Sequence, residues 1–129
     1  MLTAAHCLDG GRSADGVTVY IGTHDLQDPK LIARGSKIDI HPTWKDNVWT
    51  GSDVAVLTLS SPVQYSDTVR PVCLSSDSSN SYADDVVVAA GWGFTSADNT
   101  GPGPSKLREV DQDVLTTDVC RNQWSRVSR

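Results

Sequence analysis

Asp53-Val54-Ala55-Val56-Leu57-Thr58-Leu59 is the stretch whose reading decides the fold class. From Val54 to Leu59 the chain is almost continuously apolar, and Ser60-Ser61-Pro62 ends the run. A run that short and that apolar suits a buried strand. Asp53 heads it, and a carboxylate at the edge of a buried strand is costly unless something pairs with it. The strand therefore raises the question of what stands beside Asp53.

Outward from this run, further segments read the same way. Lys37-Ile38-Asp39-Ile40 alternates and is stopped by His41-Pro42. Val17-Thr18-Val19-Tyr20-Ile21 is β-branched and aromatic between Gly16 and Gly22. Downstream, Val86-Val87-Val88-Ala89-Ala90 precedes Gly91-Trp92-Gly93, and Glu109 to Leu115 alternates with period two. Such segments, bounded by turn residues, are strands. The expected helix content is small. Thr117 or Asp118 is placed to cap a short helix running through Val119, Cys120, Asn122 and Trp124, and Ala4 to Leu8 suits one more turn. The Ser- and Asp-rich stretch 75–85 and the Gly-Pro-rich stretch 94–105 read as exposed loops. Lys106 and Arg108 follow the second loop, where a trypsin-like enzyme would nick an accessible chain. No internal repeat occurs. The class is all-β, a barrel or a sandwich.

The chain has 129 residues, which suits one domain or part of one. Its 38% hydrophobic content, raised by 10 glycines, is compatible with a folded core. Net charge is −5, which argues against a nucleic-acid partner because that role usually needs a basic face. No apolar run approaches the ~20 residues of a membrane helix, so no membrane partner is expected. Met1 to His6 lacks the basic start and long apolar core of a signal peptide. There is no Asn-x-Ser/Thr site. Three cysteines, Cys7, Cys73 and Cys120, cannot all pair within the chain. They are either buried thiols or halves of bridges to cysteines outside it.

His6 is the residue best suited to chemistry. Imidazole titrates near pH ~6.5 and can accept and return a proton near neutrality. Ala4 and Ala5 leave room beside the ring. Taken alone, His6 is as readily a structural histidine, and Asp53 a solvated strand-end carboxylate. Together they have a use: an aspartate on one ring nitrogen fixes the tautomer and stabilises the charged ring during proton transfer.

Four motifs move the balance. Leu2-Thr3-Ala4-Ala5-His6-Cys7 resembles the catalytic-histidine motif of the chymotrypsin/trypsin family of serine proteases. Ser52-Asp53-Val54-Ala55-Val56-Leu57 resembles that family's catalytic-aspartate motif. Val69-Arg70-Pro71-Val72-Cys73-Leu74 looks like the link between its two barrels, and Ala90-Gly91-Trp92-Gly93 like the turn early in its second barrel. They occur in the family's order and cover essentially the whole chain. The resemblance implies an incomplete double antiparallel β-barrel with one short helix late in the chain. Residues 1–129 would form a partial protease domain. Within it, 1–72 would be the later part of the first barrel, and 73–129 the link and the start of the second.

By the same resemblance, His6 is the general base and later general acid, and Asp53 the group that orients it. The family's nucleophile lies in Gly-Asp-Ser-Gly-Gly, which the 129 residues do not contain. The oxyanion hole belongs to that segment, and most of the specificity pocket follows it. Ser52 lacks a nucleophile turn, and the Ser75 to Ser81 cluster reads as a solvated loop. The chain alone is therefore expected to have no peptidase activity. Cys7 would pair with a cysteine upstream of the histidine motif, Cys120 with one downstream, and Cys73 with a distant one. That favours an oxidising, extracellular setting for the full protein. Val87 stands about where many relatives carry another cysteine.

The expected partners are protein or peptide substrates and protein protease inhibitors. No cofactor and no metal is expected. Thr23 replaces a carboxylate in the loop where some relatives bind calcium, and Asp25 and Asp28 are too few for a cage of about 6–8 oxygens. No residues at zinc-ligand spacing accompany His24 or His41. Trp44, Trp49, Trp92 and Trp124 suit packing more than a binding platform, although Val48-Trp49-Thr50 would border the family's substrate cleft. The alternative from another class is a non-catalytic protease homologue acting as a binding or regulatory module. A Gly-Asp-Gly-Gly-Gly motif past Arg129 would mark it. A third reading, an unrelated acidic all-β binding domain with free thiols, must explain four ordered motifs. Half-built barrels expose strand edges, so the chain alone is expected to be marginal, oligomeric or poorly soluble.

Overall fold

The computed structural model describes residues 1–98 and 100–127, and the side chains of those up to Ser125. Asn99, inside the expected loop 94–105, lies outside the described residues. The chain divides into two compact units, Met1–Arg70 and Pro71–Arg129.

The first unit is a four-stranded antiparallel sheet. Its strands are β1 (Leu2–Thr3), β2 (Thr18–Ile21), β3 (Leu31–Ile40) and β4 (Ala55–Leu59), in the order β1-β4-β3-β2. β4 alternates: Ala55 and Leu57 are buried, whereas Val56 is 46% exposed. The run read as wholly buried is thus covered on one face. β1 completes its outer edge. The Met1 ammonium donates to the Leu57 carbonyl at 2.8 Å, and the Leu57 N–H returns a bond to Met1 O at 2.9 Å.

β3 is longer than the alternation at 37–40 indicated. Gly35 pairs with Leu59 but Lys37 pairs with Thr58, so Ser36 is an extra residue in a β-bulge. The extra residue changes which parity faces inward. Ala33 and Gly35 point to the core before it, and Ile38 and Ile40 after it. Period two breaks at that point, which hid Leu31 to Ser36 from a pattern search. The Ser36 hydroxyl lies 3.2 Å from the carbonyls of both Thr58 and Leu59. Gly35 is required by crowding, because a Cβ there would sit 2.5 Å from Ala14 O and 2.7 Å from Leu57 Cδ1.

The core of this unit is small. Ala5, Leu8, Val19, Ala55 and Leu57 are buried, and Val17, Ile21, Ile38, Ile40 and Trp44 pack against them half-covered. Trp44 fills that packing role while its indole N–H donates to Asp9 Oδ2 at 2.6 Å, as a part-buried Trp requires.

The second unit holds β5 (Val86–Gly91) paired antiparallel with β6 (Arg108–Asp113), then α1 (Thr117–Val127). β6 stops before the expected Leu115, and Val114 instead exchanges backbone bonds with Asp84 and Asp85. The helix cap is Thr116 rather than Thr117 or Asp118: its Oγ1 accepts from the Val119 N–H at 3.4 Å. Among the described residues of this unit none is buried. Strands dominate and one helix comes late, in keeping with the expected class. No helix among the described residues is long and apolar enough to cross a membrane.

Candidate active site

Strand pairing brings the two expected residues together. In the β1–β4 pair Thr3 stands opposite Ala55. His6 follows Thr3 by one short turn, and Asp53 precedes Ala55 by two residues. Antiparallel pairing puts both at the same end of the ladder. His6 lies in a 3₁₀ turn, Ala5–Cys7, entered through extended Ala4 at φ −80° and ψ 144°. Ala5 is fully buried, which fixes the turn to the core while its neighbour faces out. The His6 side chain is 55% exposed and that of Asp53 24%.

Asp53 holds His6 with both carboxylate oxygens. Oδ1 accepts from the His6 backbone N–H at 2.9 Å, and Oδ2 lies 2.7 Å from the ring Nδ1. The backbone bond, and after it the ring bond, hold the Asp53 carboxyl below its ordinary value of 3.8. Asp53 is therefore ionised near neutrality and accepts only. Nδ1 must then be the donor, which leaves Nε2 of a neutral ring as the acceptor. The pair accordingly presents a proton acceptor whose cationic form a carboxylate would stabilise.

The turn leading into Asp53 is also fixed. Gly51 has φ +78°, and Ser52 adopts φ +62°, a conformation uncommon for a residue with a side chain. The Thr43 hydroxyl donates to Ser52 Oγ at 2.6 Å, and its oxygen lies 3.0 Å from His41 Nδ1. The His41 N–H donates to Val54 O at 3.0 Å. His41 and Thr43 thus brace the Asp53 segment, a role no sequence motif announces. The Val48–Thr50 segment is a 3₁₀ turn closed by the Asn47 side chain accepting from the Trp49 N–H at 2.9 Å.

For Cys7 the alternatives are a buried thiol and, by the resemblance, half of a disulfide to a cysteine outside the chain. Cys7 is an exposed thiol, and its Sγ lies 3.6 Å from His6 Nε2. Cys73 and Cys120 are free as well. In the loop considered for calcium, Asp28 pairs with Lys30 and Asp25 Oδ1 accepts from the Gln27 N–H. Among the described residues no group of three or more His, Cys, Asp or Glu is placed to hold a metal ion.

The Trypsin family model matches residues 1–129. The chain is 33% identical over 120 residues to transmembrane protease serine 11G of Rattus norvegicus, covering 93% of this chain and 28% of that protein. It is 33% identical over 132 residues to serine protease snk of Drosophila melanogaster, covering 100% of this chain and 29% of that one. Clotting factor G beta subunit of Tachypleus tridentatus is 30% identical over 132 residues, 96% of this chain and 41% of its own length. The chain thus spans well under half of these relatives. In structure it resembles the scabies mite inactivated protease paralogue S-D1, with a TM-score of 0.85 at 23% identity, over 98% of this chain and 52% of that one. That likeness concerns the fold.

Proposed function

Because the chain belongs to the trypsin family, we propose that it is part of a serine endopeptidase in which His6 is the general base and Asp53 its orienting carboxylate. The observation that carries this reading is the two-point hold of Asp53 on His6, one oxygen on the backbone N–H at 2.9 Å and the other near Nδ1 at 2.7 Å. A carboxylate that grips both backbone and ring fixes the imidazole with Nδ1 toward Asp53 and Nε2 on the far side of the ring.

In the complete catalytic domain Nε2 takes the proton of a serine hydroxyl as that oxygen attacks a peptide carbonyl. The imidazolium then returns the proton to the departing amine, and water repeats the cycle on the acyl ester. Asp53 stays ionised throughout. On this reading residues 1–72 are the later part of a first barrel, and 73–129 the link and the opening of a second. The substrates are proteins or peptides, the regulators protein inhibitors, and the setting oxidising and extracellular, where Cys7, Cys73 and Cys120 find partners.

The 129-residue chain contains no Gly-Asp-Ser-Gly-Gly, so by itself it is expected to be inactive toward a fluorogenic peptide and toward a covalent serine-hydrolase probe. Extended by its own coding sequence on both sides, it is expected to cleave peptides. Asp53→Asn in that extended protein should reduce kcat by roughly 10⁴. Full activity in Asp53→Asn would overturn the assignment, as would labelling of the short chain by the serine probe.

A further inference from the structure

We propose that Thr43 is a positioning residue of this site: its hydroxyl holds Ser52, Ser52 fixes the Asp53 carboxylate on His6, and the rate of proton transfer depends on that hold.

The hold begins in the core. Trp44 packs against the buried cluster, and its indole N–H donates to Asp9 Oδ2 at 2.6 Å. The Trp44 backbone N–H closes a turn on His41 O at 2.9 Å. Thr43 lies inside that turn, with its own N–H donating to His41 Nδ1 at 3.3 Å. It is therefore a fixed point on an otherwise exposed segment. From it the hydroxyl donates across nine positions to Ser52 Oγ at 2.6 Å.

Ser52 needs such a hold. Gly51 and Ser52 have φ of +78° and +62° in succession. Glycine adopts that region freely, but a residue with a Cβ persists there only where its surroundings keep it. Asp53 follows in a tight turn, with the Val54 N–H donating to Ser52 O at 2.8 Å. On the far side of Asp53 the His41 N–H donates to Val54 O at 3.0 Å. One turn, 41–44, thus clamps the Asp53 backbone from both sides. The two carboxylate oxygens meet the His6 backbone N–H and Nδ1 together, at 2.9 and 2.7 Å, only while that backbone stays in place. Without the Thr43 hydroxyl, Ser52 relaxes toward negative φ and draws the carboxylate off one of its two bonds.

The effect on rate rests on the protease reading, whereas the hold itself does not. Thr43 acts through Ser52 and Asp53, so its loss should lower kcat and spare KM.

Two measurements separate the hold from the rate. In the 129-residue chain, proton NMR follows the Nδ1 proton between His6 and Asp53, identified by its absence in His6→Ala. Thr43→Val removes only the hydroxyl from an exposed side chain, and should speed exchange of that proton with water about tenfold. Thr43→Ser keeps the hydroxyl and should restore the original rate. Ser52→Ala should match Thr43→Val, and the double variant should be no faster than either, because both cut the same link. Ser52→Ala also carries the comparison if Thr43→Val does not fold. In the protein extended by its own coding sequence on both sides, Thr43→Val should lower kcat about tenfold with KM unchanged. Unchanged exchange in Thr43→Val, or effects of Thr43→Val and Ser52→Ala that simply add, would overturn the hold. Unchanged kcat in an active extended protein would overturn its part in the rate. An extended wild type that cleaves nothing would sink the protease reading alone, and the exchange rates would still decide the hold.

Discussion

Thr3 faces Ala55 across the β1–β4 pair, and that register brings His6 to Asp53. A slip of one residue would turn the inward residues of a strand outward. It would also shift His6 along the ladder, away from the carboxylate. The site therefore depends on the same pairing that buries Ala55 and Leu57.

The first prediction concerns acid. The Asp53 carboxyl is held below 3.8 by the His6 backbone N–H and then by the ring. A folded-state pKa below the unfolded one means that the unfolded chain binds the proton more readily. The stabilisation is thus complete above the unfolded value and lost as pH falls through the lower, folded one. Asp15, Asp77 and Asp98 are lowered too, by bonds from neighbouring Ser and Thr residues, so the wild type alone does not isolate Asp53. The stability gap between the wild type and Asp53→Asn does. In urea titrations it should be widest near pH 5 and close steadily below 3.8. A gap that stays constant across this range would show that the charge on Asp53 contributes nothing to folding.

Gly35 supplies the second. Its missing side chain is where Ala14 O and Leu57 Cδ1 approach, at 2.5 and 2.7 Å from an ideal Cβ. Gly35→Ala should therefore destabilise by roughly 1–3 kcal/mol through overpacking. Leu57→Ala vacates one of those contacts, so the double variant should lose less than the sum of the two single losses. Thermal or urea unfolding of the four proteins measures this. Strict additivity would mean that the clash is relieved by backbone movement instead.

How much was legible follows from these particulars. The ends of β2, β4 and β5 were readable within a residue, because Val, Ile and Thr runs stop at Gly, Ser and Pro. β1 was not, since Leu2-Thr3 is too short for any period and exists only through pairing with β4. Most of β3 was missed because Ser36 breaks the alternation. His6 and Asp53 were legible as residues, from their motifs. Their pairing came from the resemblance, whereas the second hold, Asp53 Oδ1 on the His6 backbone N–H, had no signal in the sequence. The Cys7 Sγ beside Nε2, and the His41–Thr43–Ser52 brace, are side-chain geometry with no pattern in sequence.

The last prediction concerns exposed strands. Val86 is 63% exposed and Val88 61%, on a two-stranded hairpin without buried residues. An isolated hairpin is marginal in water, and uncovered apolar strands pair with other chains. The chain is therefore expected to self-associate at micromolar concentration. Val88 stands opposite Asp111, with Asp113 opposite Val86 on the same face. A cation at 88 would gain a cross-strand partner there and make the face less apolar. Val88→Lys should thus shift the protein toward monomer in sedimentation velocity without lowering its melting temperature. Val110→Lys is the comparison: Val110 faces Ala89 on the opposite side, where no acidic residue of β6 points. It should suppress association without the stabilising pair. If Val88→Lys associates as strongly as the wild type, association must run through another surface, and the exposed edge of β1 beside Val56 is the next to be charged.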